Sequence, residues 1–148
     1  MSDYTASADI DAPASAAWTV LTGFADYGAW SPMTPEVDGA LSIGSVVRLT
    51  VRLHGLTVRQ RLTITAITPP RLLVWVLDIG LPWLIRAERT QTITAIDADR
   101  CRYETTDRIR GLLAPVVGLM MGSALRSGFA LHSEALSCRV EELAADRL

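Results

Sequence analysis

Residues 47–65 hold the pattern that most restricts the fold. Val47, Leu49, Val51 and Leu53 alternate with Arg48, Thr50, Arg52 and His54. After Gly55 the alternation resumes, with Leu56, Val58, Gln60, Leu62 and Ile64 set against Thr57, Arg59, Arg61, Thr63 and Thr65. A period of two sends successive side chains to opposite faces, so each run is a half-buried strand. His54-Gly55 between them marks a two-residue hairpin turn. Pairing Leu53 with Leu56 sets Val51 opposite Val58, Leu49 opposite Gln60 and Val47 opposite Leu62, which places both apolar sets on one side of the sheet. That side needs a cover.

A second hairpin follows. Pro69-Pro70 breaks the chain, and Leu72 to Leu77 is apolar on both faces, the pattern of a central strand covered on both sides or by a helix on one side and an interface on the other. Asp78 to Trp83 reads as an apolar turn, and Leu84–Ile96 and Cys101–Ile109 as strands around Asp97-Ala98-Asp99. A three-residue loop there pairs Ala95 with Cys101, Ile93 with Tyr103, Gln91 with Thr105 and Arg89 with Asp107, and leaves Glu88 opposite Arg108. Upstream, Tyr4–Asp11 alternates weakly. Pro13 sits in the first turn of a helix that runs through Ala16, Ala17, Trp18, Val20 and Leu21 and ends at Gly23. A short helix over Phe24–Trp30 gives way to extended chain at Ser31-Pro32 and Pro35.

From Pro115 to Leu143 the spacing becomes helical. Met121, Leu125, Phe129, Leu136, Val140 and Leu143 form one stripe, with Arg126, Ser133, Glu134, Ser137 and Glu141 opposite. One strand, two short helices, about six successive strands and a long terminal helix demand an antiparallel sheet wrapped around that helix. No repeat, low-complexity run or long linker divides the chain, so residues 1–148 read as a single domain.

Composition narrows the chemistry. All 14 basic residues apart from the histidines are arginine. The absence of lysine excludes a Walker-type phosphate loop and Schiff-base catalysis. Two histidines and two distant cysteines, Cys101 and Cys138, leave no multi-histidine zinc site and no four-thiolate site, so no metal or cofactor is expected. A net charge of −2 argues against nucleic acid as a partner. The amino terminus has no basic region followed by an apolar run, so a cytoplasmic location is expected. The uncharged stretch Gly111–Leu125 is too short to span a bilayer, which takes roughly 17 to 25 residues, and it contains Pro115. No stable membrane insertion is expected.

Ile10-Asp11-Ala12-Pro13, Ala17-Trp18, Phe24-Ala25-Asp26-Tyr27, Trp30-Ser31-Pro32 and the turn Arg110-Gly111-Leu112-Leu113 together resemble the polyketide cyclase/dehydrase and lipid-transport group of the START-like, Bet v 1-like superfamily. The resemblance spans nearly the whole chain and implies an α+β helix-grip fold. In that fold a curved seven-stranded antiparallel sheet grips the carboxy-terminal helix, with two short helices after the first strand and an apolar cavity between sheet and helix. The cavity lining it implies is Val47, Leu49, Val51, Val58, Gln60, Leu62, Trp75, Leu77, Gln91, Ile93 and Tyr103 from the sheet and Met121, Leu125, Phe129 and His132 from the helix. Its mouth would be framed by His54-Gly55-Leu56, Gly80-Leu81-Pro82-Trp83 and the start of the long helix, with Trp83 a further ligand contact.

The scaffold hosts binders, transporters and enzymes alike, so function must come from the site. The leading expectation is binding of a small hydrophobic ligand: a lipid, an isoprenoid or a polyketide-like metabolite. The alternative is a polyketide cyclase, aromatase or dehydratase. There His132, the best acid/base candidate in the chain, would work with Tyr103, Asp107 or Arg89. Each has a plainer reading: His132 as a neutral core histidine, Arg89–Asp107 as a structural ion pair, Gln60 as an amide satisfied near the rim, and Arg48, Arg52, Arg59 and Arg61 as a solvated stripe. A third reading has the apolar run around Leu112, Leu113, Val116, Val117, Leu119, Met120 and Met121 contacting a protein partner, a homodimer included, or a membrane surface, above a closed interior.

Overall fold

The computed structural model describes residues 2–53, 55–81 and 83–146. Its elements are β1 (Ser2–Ile10), α1 (Ala14–Thr22), a 3-10 helix (Phe24–Ala29), β2 (Glu36–Asp38), β3 (Val46–Leu53), β4 (Leu56–Thr68), β5 (Leu72–Ile79), β6 (Ile85–Asp97), β7 (Arg100–Arg110) and α2 (Ala114–Ala145). The strands form one antiparallel sheet in the order β1-β7-β6-β5-β4-β3-β2. This half-barrel grips α2, as the helix-grip expectation requires.

The first hairpin has the expected register: Leu53 opposes Leu56, Val51 opposes Val58, Leu49 opposes Gln60 and Val47 opposes Leu62. Of its two turn residues, His54 lies outside the described residues, and Gly55 has φ of 81°, a left-handed conformation that glycine adopts without a Cβ clash. In the second hairpin Arg89 opposes Asp107, Gln91 opposes Thr105, Ile93 opposes Tyr103 and Ala95 opposes Cys101. The expected three-residue loop is replaced by a two-residue turn. Asp97 pairs with Arg100, and a bulge at Ile96 restores the register, because one extra residue in one strand shifts the count by one. The Asp97 side chain holds that turn by accepting from the Asp99 N–H at 2.8 Å.

Strand β5 corrects a second expectation. Its inner residues Leu73 and Trp75 belong to the core, while its outer residues Val74 and Val76 are buried apart from that core. Their cross-strand neighbours are Ala66 and Thr63 on β4 and Thr90 and Glu88 on β6. Side chains of the sheet's own outer face therefore supply the cover that a second layer was expected to give.

Helix α2 is long and apolar enough to cross a membrane by length and hydropathy, yet it is the core helix of the fold. Ser133 and Ser137, expected opposite the apolar stripe, are buried. Ser133 Oγ donates to the Phe129 carbonyl at 2.8 Å, and Ser137 Oγ donates to the Asp9 carbonyl of β1 at 3.1 Å. The helix is gripped on more than one side, so its buried arc is wider than one stripe. Small residues allow the close approach: a Cβ on Gly128 would meet Leu53 Cδ2 at 2.6 Å and Met33 Sδ at 3.0 Å. At the other end, Leu112 N–H donates to the Trp83 carbonyl and Leu113 N–H to the Leu84 carbonyl. These bonds tie the start of α2 to the β5–β6 turn.

Candidate functional site

The inner face of the sheet and the first half of α2 enclose a cavity of about 220 Å³. Leu49, Val51 and Leu53 of β3 line it, with Val58, Gln60 and Leu62 of β4 and Trp75, Leu77 and Ile79 of β5. The far wall is Ile85, Ala87 and Arg89 of β6 with Asp107 and Ile109 of β7. Val117, Met121, Leu125 and Phe129 of α2 and Met33 close it. An apolar cavity with a few convergent polar groups is the general form of a small-molecule site.

Those polar groups are Gln60, Arg89 and Asp107. Gln60 is half-buried. Arg89 and Asp107 are each more than nine-tenths buried. The Arg89 guanidinium sits 4.8 Å from the Phe129 ring centre and 5.9 Å from that of Trp75. Its Nε donates to Thr105 Oγ1 at 2.9 Å and its Nη2 reaches Tyr103 Oη at 3.5 Å. These bonds draw it along the strand, and it forms no ion pair with Asp107. The expected structural pair is therefore not made. Among the described residues the Asp107 carboxyl has no hydrogen-bond partner at all. Burial pushes its pKa up to about 6 against the opposing pull of Arg89, because a low-dielectric setting disfavours the charged form.

His132 lies elsewhere. It is fully buried beyond the cavity, with its Nδ1 3.0 Å from Ser31 Oγ and its ring 5.1 Å from that of Trp30. Ser31 Oγ also accepts from the Thr34 N–H at 3.0 Å. Burial first, and Arg89 second, hold His132 well below the ordinary histidine pKa, so it stays neutral. Its ring centre is 6.5 Å from that of Tyr103, and the histidine–tyrosine or histidine–acid pair envisaged for catalysis does not form. Tyr103 instead donates to Gln91 Oε1 at 2.7 Å, and burial raises its pKa.

Of the sequence-derived ligand contacts, Leu49, Val51, Val58, Gln60, Leu62, Trp75, Leu77, Met121, Leu125 and Phe129 line the cavity, as do Arg89 and Asp107. Val47, Gln91, Ile93, Tyr103 and His132 are packed outside it, and Trp83 is exposed. Sequence reasoning missed Met33, Leu53, Ile79, Ile85, Ala87, Ile109 and Val117. Strand parity carried the signal for most of them: Ile79 opposes Ile85, and Ala87 opposes both Leu77 and Ile109. Val117 stands one turn before Met121. Reading Asp78–Trp83 as a turn hid the last residues of β5. Around the mouth, Leu81, Trp83, Leu112, Val116, Leu119 and Met120 are exposed.

Fold and cavity together define a helix-grip protein with a small internal pocket. The chain belongs to the family of polyketide cyclases/dehydrases and lipid-transport proteins, whose model matches residues 1–141. That description covers chemistry and carriage of hydrophobic molecules. Among solved structures, the chain is similar to the Zhui aromatase/cyclase of a Streptomyces species, with a TM-score of 0.80, 19% identity, and 97% of this chain and 95% of that one covered. It is also similar to a START superfamily protein of Mycobacterium smegmatis, with a TM-score of 0.71, 18% identity, and 95% and 98% covered. Norcoclaurine synthase of Thalictrum flavum has a TM-score of 0.72 at 14% identity, with 97% and 96% covered. No curated protein matches the chain.

Proposed function

We propose that this protein binds a small hydrophobic molecule in the cavity between the sheet and α2, in the cytoplasm and without a cofactor. The observation that carries the reading is an internal space of about 220 Å³ lined almost wholly by apolar side chains. Close packing normally fills such a space. Transfer of apolar ligand surface from water supplies roughly 25 cal/mol per Å², less the cost of immobilising the ligand. Native mass spectrometry of the purified protein, followed by denaturing extraction, tests the reading. A stoichiometric apolar adduct is the expected result. An empty protein whose melting temperature is moved by no small apolar compound would sink it.

A second reading, polyketide cyclisation or dehydration, is favoured by one observation: Asp107 and Arg89 share a wall of the cavity. A carboxyl with a pKa of about 6 is suited to take and return a proton near neutral pH. In this reading Asp107, not His132, is the acid/base group, and Arg89 steadies developing negative charge. Turnover of a polyketide-like substrate that survives His132→Gln and is lost in Asp107→Asn is the outcome that supports it.

A further inference from the structure

Arg89 and Asp107 leave an unusual imbalance on the cavity wall. The guanidinium has two of its nitrogens engaged, Nε with Thr105 and Nη2 with Tyr103, which leaves Nη1 with donors to spare. The Asp107 carboxyl has acceptors to spare and no partner among the described residues. The two side chains together carry no net charge when both are ionised. An anionic head alone would add an uncompensated buried charge, as would a cationic one, and such a charge is strongly unfavourable. A neutral planar head with one acceptor and one donor adds none, and it satisfies both side chains at once.

Size sets the rest of the ligand. An apolar cavity of about 150 Å³ holds benzene, six carbons. Scaled by volume, about 220 Å³ holds about nine non-hydrogen atoms. Trp75 and Phe129 add aromatic faces to the wall. We infer that the cavity is built for a single-ring hydrophobic molecule ending in a carboxylic acid or carboxamide, whose carbonyl oxygen accepts from Arg89 and whose O–H or N–H donates to Asp107. This rests on the cavity-binding reading and gives that reading its ligand class.

The two heads have opposite proton bookkeeping. A bound acid and Asp107 share one proton between two carboxyl oxygens, so above the pKa of Asp107 binding takes up a proton and weakens as pH rises. A bound amide needs Asp107 ionised, so it strengthens through the same range. The other titratable or charged groups turned to this interior are Tyr4 on β1, Cys101 and Tyr103 on β7, Tyr27 of the 3-10 helix and His132 on α2, with Arg126 of α2 stacked over Tyr4; burial raises the Cys101 thiol, so it stays neutral as well. The inward positions of β3, β4 and β5 carry none among the described residues. Tyr27 and Tyr103 are raised by burial and His132 is lowered, so these three stay neutral across the working range.

The experiment measures dissociation constants of phenylacetic acid, phenylacetamide, methyl phenylacetate and propylbenzene by NMR titration at pH 5.5 and 7.5. With Asp107 titrating near pH 6, linkage predicts that the acid binds about twenty-fivefold more weakly at the higher pH and the amide about fourfold more tightly. Both should exceed the ester at their better pH, and propylbenzene should not respond to pH. Asp107→Asn should remove both trends. Arg89→Gln should weaken acid and amide at least tenfold while leaving propylbenzene within twofold; should that variant not fold, the wild-type and Asp107→Asn trends decide alone. Acid and amide moving together, or neither exceeding the ester, would overturn the ligand class while leaving the cavity reading intact. No binding by any of the four probes, propylbenzene included, would overturn both.

Discussion

The two halves of α2 face the same sheet with different results. From Gly128 to Val140 the helix is pressed onto β1 and the segment around Trp30-Ser31, with Gly128, Ser133, Leu136 and Ser137 buried. From Ala114 to Leu125 it stands off behind Val117, Met121 and Leu125, leaves a cavity and turns Leu119 and Met120 outward, 89% and 78% exposed. Buried polar atoms without a hydrogen-bond partner among the described residues occur on both sides of this division: His132 Nε2, Gln91 Nε2, Trp30 Nε1 and Thr34 Oγ1 away from the cavity, and Trp75 Nε1 on its wall. In the closed half His132 is held by Ser31, and Tyr103 by Gln91. In the open half the Asp107 carboxyl has no hydrogen-bond partner among the described residues and lines the cavity. A histidine is the more versatile acid/base group in isolation, but His132 does not line the cavity, so its unpartnered Nε2 meets no ligand there. Unsatisfied polarity beside free volume is the better guide to a site than residue type.

The sharpest way to break this comparison is to damage the closed half. Leu136 is fully buried, and truncation of such a leucine costs about 2–5 kcal/mol in transfer and cavity terms. Urea denaturation of Leu136→Ala should show a loss in that range. A loss below about 1 kcal/mol would mean that this half is as loosely filled as the other.

Next in size is a gain in the open half. Asp107 has a folded-state pKa of about 6 against an ordinary 3.8, so between those values the folded protein binds more protons than the unfolded chain. Stability contributed at low pH is then lost as pH rises from about 4 to 6. The difference of about two units is worth about 3 kcal/mol at pH 7. Asp107→Asn should raise stability by up to that amount at pH 7 and by little at pH 4. His132 pulls the other way, since a histidine kept neutral in the fold costs stability as pH falls below the ordinary value of 6.5. Thermal melts of the two proteins should diverge between about pH 4 and 6 and stay apart by a constant margin up to pH 8; parallel curves throughout would mean that Asp107 is solvated or paired.

A smaller loss is expected from Ser31→Ala, which strips the Thr34 N–H and His132 Nδ1 of their shared partner. Leaving buried polar groups unpaired costs about 1–3 kcal/mol. The affinity of an apolar probe such as propylbenzene should stay within twofold, because Ser31 does not line the cavity. A stability loss with a tenfold affinity loss would show that the two halves are one mechanical unit.

Much of this molecule was legible before any coordinates. Strand alternation and the placement of two turns set both hairpin registers, and the Arg89–Asp107 juxtaposition came directly from the second. The bulge at Ile96 was invisible, because it and a longer loop give the same pairing. The burial of Ser133 and Ser137 was missed, since periodicity reports how polar a face is and not how many surfaces enclose it. His132 looked like a site residue for the same reason: an apolar helical stripe passes through core and cavity without a change of pattern. What separates those two is the distance between facing surfaces, set jointly by small residues such as Gly128 and by what they meet, and no single strand or helix encodes it.

The smallest expected effect tests the outer end of the open half. Leu119 and Met120 protrude beside Leu112 and Val116, and all four are exposed. Substitutions at so exposed a position usually shift stability by no more than about 0.5 kcal/mol. Leu119→Gln and Met120→Gln should therefore leave the melting temperature of dilute protein nearly unchanged, and they should leave Asp107-dependent binding intact, because neither residue lines the cavity. A loss above about 1 kcal/mol that deepens as the protein is concentrated would have a different meaning. Two copies would then be meeting through this rim, and the open half would be open only in the single chain.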